Sequence, residues 1–439
     1  MREECVTIVE KLKKLGADNA IATGYNYSQR QIKFANSKTV RKSVEQRSEI
    51  HLFVSVGKKI AETRIDADID QPNINAVLEK FVSLAKKLPD NSDFEEVASG
   101  KFTYPVINSF DKKIPTADEQ SVDLVSQVLD SCNGVKAGGM FETNESEVYL
   151  VSSNGPQATH KSTSVYFSIR CLAEQNASGH KVSAGAFLSD VNYTELAHQA
   201  KELAFKAKNP IKGQQGTYNV VFDAFPYAAL LDPFTNSTSV FSVESGLSAL
   251  GGKIGKQIAS ESVTIYDDPT LANAFHSTPF DEEGRPTKRT SIVQNGELKT
   301  YLHNSSTAKH QNVAPTGHAG ITAPHPFNPV VESGKSTIDE LIQETKNGIY
   351  ITNIWYTRFQ NYSTSDFSTI PRDAILLIEN GELTKPIREI RLSDNLLGIL
   401  QRTKLLSSNQ RQIYGWEVET PIFSCDALVE NVKITTPQS

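Results

Sequence analysis

Apolar residues recur at Cys5, Ile8, Val9, Leu12 and Leu15 with helical spacing, and Gly16 closes the run. A turn at Asn36-Ser37 follows, and the alternation Ile50, Leu52, Val54, Val56 predicts a half-buried strand. Ile74, Val77, Leu78, Phe81, Leu84 and Leu88 predict a second helix that stops at Pro89. The plan then repeats. Thr116 and Glu119 form a candidate capping box ahead of the apolar face Val122, Val125, Val128, Leu129, Cys132. A strand at Val148–Val151 leads to the turn Ser153-Asn154-Gly155, and Val165, Phe167, Ile169 and Cys171 alternate as a second strand. Leu196, Ala197, Ala200, Leu203, Ala204 and Ala207 supply a closing helix that ends before Pro210. Helix, strands, helix thus occurs twice, over about 1–90 and 112–210, and reads as a duplicated α+β unit.

Between the units, residues 88–115 are rich in Pro, Asp, Asn and Ser and read as a linker. Residues 210–216 mark a boundary between an N-terminal half, 1–214, and a strand-rich C-terminal half, 217–439. The second half carries helical patches near 224–232, 242–259 and 336–345, a short helix within 395–406 and a final strand near 427–434. Asn295-Gly296 and Asn380-Gly381 each sit between apolar arms, and both central residues of a tight hairpin need the positive φ that Asn and Gly tolerate. The fold class is α+β, with a β-rich C-terminal half.

With 439 residues, 38% hydrophobic and 22% charged, the chain has the composition of an ordinary globular protein, long enough for two or three cores. Its net charge of −6 argues against a nucleic-acid partner. Cys5, Cys132, Cys171 and Cys425 form no Cys-x-x-Cys pair and read as reduced core residues. No apolar h-region opens the chain and no long apolar run follows, so the expectation is a cytoplasmic protein without a membrane partner, in which the sequons at Asn192, Asn236 and Asn361 arise by chance.

The segment 280–318 orders an acidic turn, Asp281-Glu282-Glu283-Gly284, the Asn295-Gly296 hairpin and the turn Pro315-Thr316-Gly317. This order resembles the signature of the TldD/PmbA family, which pairs two related subunits into a zinc-dependent peptidase. The likeness extends to 16–88, 134–208 and 218–434. In TldD-type subunits a helix carries His-Glu-x-x-x-His, two imidazole ligands and a base for a bound water. The matching positions here are Asp232, Pro233 and Ser237, and the region matching a third, cysteine ligand reads Asn409-Gln410-Arg411-Gln412. Proline at 233 is also expected to disfavour a continuous helix. The resemblance therefore implies a PmbA-type, or TldE-type, subunit without catalytic or metal residues of its own. Zinc would lie in a TldD-like partner of a heterodimer, and the substrate would be a peptide or an unfolded protein.

Two other readings compete. One is a stand-alone metal-dependent hydrolase using His303, His310 and His318, of which the first two could share a helix face. The other is a non-enzymatic modulator of DNA gyrase. Loop or surface histidines are the plainer account of the cluster. Glu282 and Glu283 fit a turn-forming acidic edge better than a general acid–base pair. Residues 250–253 lack the register of a phosphate loop, and Ser248 lacks the Gly-x-Ser-x-Gly elbow. Trp355, Tyr356, Phe359 and Tyr362 are candidates for a peptide groove, with packing on the sheet as the default.

Overall fold

The structure, a computed structural model, describes residues 1–68 and 71–436, so the last three positions of the 217–439 half lie outside the described residues. Helix α1 (Arg2–Lys14) is followed by β1 (Asn19–Ala35), β2 (Lys38–Val56), β3 (Lys59–Asp66) and α2 (Gln71–Ala85). The same order returns as α3 (Asp118–Ser131), β4 (Lys136–Ser152), β5 (Gln157–Glu174), β6 (Ala177–Gly185) and α4 (Tyr193–Lys206). The strands form one antiparallel sheet in the order β3-β2-β1-β4-β5-β6, joined where β1 pairs β4 from Ile21 opposite Ser152 to Phe34 opposite Gly139. Because side chains alternate across a strand, this sheet has two different faces. On one, α1 and α2 bury Cys5, Ile8, Leu12, Leu78 and Phe81 against Ala22, Ile50, Leu52 and Val54. On the same side of the second set, α3 and α4 bury Val125, Val128, Leu196 and Ala200 against Phe141, Phe167 and Ile169. The other face carries no helix of these four.

Strand β1 has no counterpart among the expected elements, and β4 is far longer than the Val148–Val151 strand that the pattern suggests. Their middles, Ser28–Gln31 and Asn144–Glu147, are polar and hide the β-period, yet pairing on both edges carries the ladder through them. The expected capping box at α3 is not formed: Ala117 is the N-cap, and the Thr116 hydroxyl donates back to Lys113 O at 3.3 Å. Of the expected linker 88–115, residues 88–113 contain no helix or strand and Ile114–Thr116 form a 3₁₀ turn, but the stretch is tied down. The Glu95 and Glu96 N–H groups both donate to Ser306 Oγ, Ala98 N–H to Glu283, and Tyr104 OH to Gly284 O. The linker is a strap across the 283–306 segment.

The second half runs β7 (Ile211–Lys212), β8 (Gly216–Phe222), α5 (Ala224–Asn236), α6 (Val240–Glu244), β9 (Ile265–Asp267), β10 (Thr290–Gln294), β11 (Glu297–Leu298), α7 (Ser305–His310), β12 (Pro329–Val331) and α8 (Ile338–Thr345). It continues with β13 (Gly348–Asn361), β14 (Asp366–Glu379), β15 (Glu382–Arg388), β16 (Arg391–Asn395), α9 (Leu396–Gln401), β17 (Thr403–Leu406), β18 (Arg411–Gly415), β19 (Val418–Ser424) and β20 (Ala427–Thr435). One sheet has the order β11-β10-β9-β12-β19-β18. In the other, β13-β8-β20-β16-β14 closes on itself because β13 also pairs β14, a barrel-like ring that leaves no edge among those strands. Helix α5 is apolar on all sides and its Phe225, Tyr227, Leu230, Leu231 and Phe234 belong to the core shared by the two sheets. It runs unbroken through Pro233, and the Ser237 N–H still reaches Pro233 O at 3.1 Å, which corrects the expected interruption. The patch at 242–259 is helical only to Glu244, since Gly246, Gly252 and Gly255 adopt positive φ. Both Asn-Gly tips form as read, with φ of 48° and 80° at Asn295-Gly296 and 56° and 79° at Asn380-Gly381. Among the described residues no helix is long and apolar enough to cross a membrane.

Candidate functional site

The C-terminal turn of α5 places Asp232, Pro233 and Ser237 beside β19. Asp232 Oδ1 accepts the Thr420 N–H at 2.9 Å and the Asn236 amide at 3.3 Å, and Ser237 Oγ donates to Phe234 O at 2.7 Å. Burial pushes the Asp232 carboxyl up to about 6. One locally bonded carboxylate, a proline and a hydroxyl do not make the nitrogen- and sulfur-rich tetrahedral set that zinc takes. Residues 409–412 are occupied elsewhere. Arg411 forms an ion pair with Asp223, the N-cap of α5, while Gln412 bonds the Phe275 N–H and Asn328.

The three histidines of the candidate cluster face different surroundings. His303 is buried and precedes Asn304, the N-cap of α7, so it does not share that helix with His310. His310 is exposed, with Nδ1 3.9 Å from Glu244 Oε1. His318 is fully buried, Nε2 2.9 Å from Asp267 Oδ1 and Nδ1 3.0 Å from Thr316 O. His303 and His318 lie in connecting segments outside any helix or strand, as loop histidines, but both are buried. Among the described residues no three His, Cys, Asp or Glu side chains gather as a metal-binding group.

The acidic turn is not an exposed edge. Asp281 and Glu283 are each 2% exposed. Asp281 accepts the N–H groups of Glu283, Arg285 and Ala319, and Glu283 accepts those of Ala98 and Ser305. Burial and the neighbouring Glu283 charge push Asp281 up to about 8. These carboxylates hold the strap, the turn and the start of α7 together.

Glu282 turns the other way, into a groove along the helix-free face of the N-terminal sheet. Alternation brings Thr23, Tyr25 and Tyr27 of β1, Glu49 and His51 of β2 and Arg64 of β3 to this face, opposite Glu282 and Ile321, around a cavity of about 530 Å³. A second cavity of about 350 Å³ continues over β4 and β5 between Glu142, Asn144 and His160 on one side and Phe275, His276 and Tyr414 on the other. Tyr27 and Ser146 line both, so the two form one groove between the halves of the molecule. Burial works against the Glu282 charge, but His325, 3.7 Å away, outweighs it and holds the carboxyl below its ordinary range. His325 is raised by the same pairing, against its burial. Burial lowers His160 and takes His276 down to about 4, leaving both neutral near pH 7.

Ser109 Oγ lies 3.1 Å from His160 Nε2, a distance that suggests a nucleophile and base. The same nitrogen is 3.1 Å from Ser277 O. A carbonyl only accepts, so Nε2 carries the hydrogen and has no lone pair with which to activate the serine. Of the four aromatic candidates, none lines the groove. Trp355 and Tyr356 lie under Arg372 and Arg358, each cation 3.9 Å from its ring, and Phe359 stacks on Tyr362 and packs toward Phe367. Glu282 apart, the groove residues escaped sequence reading. Their one signal is the polar and aromatic alternation Thr23, Tyr25, Tyr27 opposite Ala20 and Ala22, which marks a second occupied face.

Residues 215–436 match the model of the PmbA/TldA metallopeptidase C-terminal domain, and residues 106–208 that of the PmbA/TldA metallopeptidase central domain. A metalloprotease of Methanocaldococcus jannaschii is 26% identical over 383 residues, covering 82% of this chain and 77% of that protein. A metalloprotease PmbA homolog of Haemophilus influenzae is 30% identical over 194 residues, 44% of this chain and 42% of that protein. Two solved structures share the fold across nearly the whole length. TldE from Thermococcus kodakarensis has a TM-score of 0.88 at 18% identity, covering 98% of this chain and 99% of that one. A candidate modulator of a DNA gyrase from Thermotoga maritima has a TM-score of 0.88 at 21% identity, covering 99% and 100%. With the central and C-terminal domain models matched over most of its length, the chain belongs to the TldD/PmbA family of metallopeptidases.

Proposed function

We propose that this chain is the metal-free, TldE-type subunit of a TldD/TldE-type zinc peptidase, and that its groove binds and guides an extended peptide. The observation that carries the reading is the end of α5. At the positions where the family resemblance expects two zinc ligands and a base, Asp232 and Ser237 are bonded to their own helix and to β19, and Pro233 has no donor atom. Zinc, base and hydrolysis belong to a TldD-like partner of the same fold, and the expected complex is a pseudo-symmetric heterodimer. The groove suits the guiding role. It offers apolar and aromatic walls with placed charges such as Glu49, Arg64 and Glu282, and neutral imidazoles at His160 and His276.

Co-expression with a TldD-like protein from the same source tests the division of labour. The expected result is peptidase activity only when both chains are present, unchanged by Ser237→Ala in this one. Activity of this chain alone, with a stoichiometric metal lost on His310→Ala, would overturn it. A gyrase-modulator role has no support in the net charge of −6, and a salt-sensitive DNA affinity is the result that would revive it.

A further inference from the structure

Strand β2 is 19 residues long but is covered on its outer side only in its second half. Strand β3 pairs it from Val56 back to Glu49, and the Ala67 N–H reaches Ser48 O. From Lys38 to Arg47, among the described residues, nothing pairs with the outer edge. That edge also exposes two β-branched residues, Val40 at 62% and Val44 at 53%. An unpaired strand edge is a ready template for another strand. The register with β1 sets which side chains share a face. Arg41, Ser43, Glu45 and Arg47, opposite Lys33, Gln31, Gln29 and Tyr27, lie on the groove face, and Lys42 and Val44 on the helix face. Val40 is the extra residue of a bulge, which limits a regular ladder to Arg41–Arg47.

We propose that this edge is an interface with a second copy of the chain, paired antiparallel about a two-fold axis through Ser43. A two-fold perpendicular to the sheet keeps both grooves on one side and lets groove-face residues meet only groove-face residues. Three registers satisfy this near the centre of the segment. Centring on Val44 sets Arg41 against Arg47, and centring on Lys42 sets Lys42 against itself. Centring on Ser43 sets Arg41 opposite Glu45 twice and Lys42 opposite Val44, with no like charges facing. Glu45 already holds Arg47 in an ion pair on that face, so its carboxylate is in place for a second cation. The result is a sheet continuous across two molecules with two grooves side by side. This inference does not rest on the peptidase reading.

Basic residues and a bulge are also how an unpaired edge is kept from pairing, so the test must separate an interface from a guard. Sedimentation velocity of the purified chain over a micromolar concentration series should show a monomer–dimer equilibrium that weakens with added salt. Arg41→Glu and Glu45→Arg should each raise the dimer Kd at least about tenfold, since each sets like charges opposite one another. The double variant Arg41→Glu/Glu45→Arg should restore it. Both sites are exposed, and unchanged thermal unfolding of the variants confirms that the fold is intact. A wild-type chain that stays monomeric at tens of micromolar overturns the proposal, as does a double variant no tighter than the singles. A chain that is monomeric alone but pairs with a co-expressed TldD-like protein, in a complex that Arg41→Glu weakens, assigns the edge to a related chain, which overturns the second-copy occupant and leaves the peptidase reading standing.

Discussion

Asp232 shows what a single side chain can tell about its surroundings. Its carboxyl is buried and raised to about 6, from an ordinary value near 3.8. Because the folded value is the higher one, its stabilising contribution is fully present below the unfolded pKa and is lost as pH rises from about 4 through 6. Asp232→Asn keeps an acceptor for the Thr420 N–H and removes the titration. The variant should therefore match the wild type near pH 4 and gain up to about 2 kcal/mol on it near pH 7, read from thermal unfolding at the two pH values. A variant whose difference from wild type does not change with pH would mean that Asp232 is ionised without penalty. From sequence, Asp232 could be named by its place in a motif. Its burial could not, because that depends on β19, nearly two hundred residues further along the chain.

The two Asn-Gly-Glu-Leu hairpins carry the same local instruction into different surroundings. Asn-Gly at each tip was readable because positive φ is a local demand that few residue types meet. What surrounds the tip was not. A Cβ on Gly296 would lie 2.3 Å from Ala259 O and 2.7 Å from Ser260 O, whereas one on Gly381 would lie 3.1 Å from Gln343 Cα and 3.2 Å from Gln343 O. Gly296→Ala should cost about 2–4 kcal/mol and Gly381→Ala about 1 kcal/mol, the latter mainly from backbone strain, measured by urea unfolding. Equal losses would show that φ alone sets the cost. Helices followed the same division. The apolar stripes of α1 and α4 announced themselves, while β1 and all of β4 before Val148 did not, since Gln, Arg, Ser and Asn in their middles are specified by pairing partners rather than by period. The groove was illegible for a related reason: it is made where two halves meet, and neither half's pattern contains the other.

Across the whole molecule, the halves are joined by a buried ionic knot as well as by the groove. Asp223 at the head of α5 meets Lys181 of β6, Arg411 of β18 and the Tyr350 hydroxyl at 3.1 Å. Burial opposes its charge, but the two cations override that and hold the carboxyl well below the usual range. Its contribution is accordingly present above the ordinary carboxylate pKa and lost in acid. Asp223→Asn keeps the helix cap but strands two cations, and should cost about 3–5 kcal/mol near pH 7, with the difference shrinking at low pH in denaturant titrations. For the groove, Tyr27→Ala removes the larger of the two side chains common to both cavities. It should weaken peptide binding roughly five- to tenfold, a loss of about 1–1.4 kcal/mol, in fluorescence titrations of the paired complex. Unchanged affinity would move the peptide elsewhere. The strap over residues 283–306 has a further consequence, for how the chain is made. Its bonds to Glu283, Gly284 and Ser306 reach 180 to 211 residues downstream of the segment they hold. At ribosomal speeds of about 5–20 residues per second, that separation leaves these bonds unmade for roughly 10–40 s after the segment emerges, while the Asn91 N–H to Lys58 O and Gly100 N–H to Asn154 O bonds close earlier. During synthesis, that window is when a protease or chaperone would find this segment.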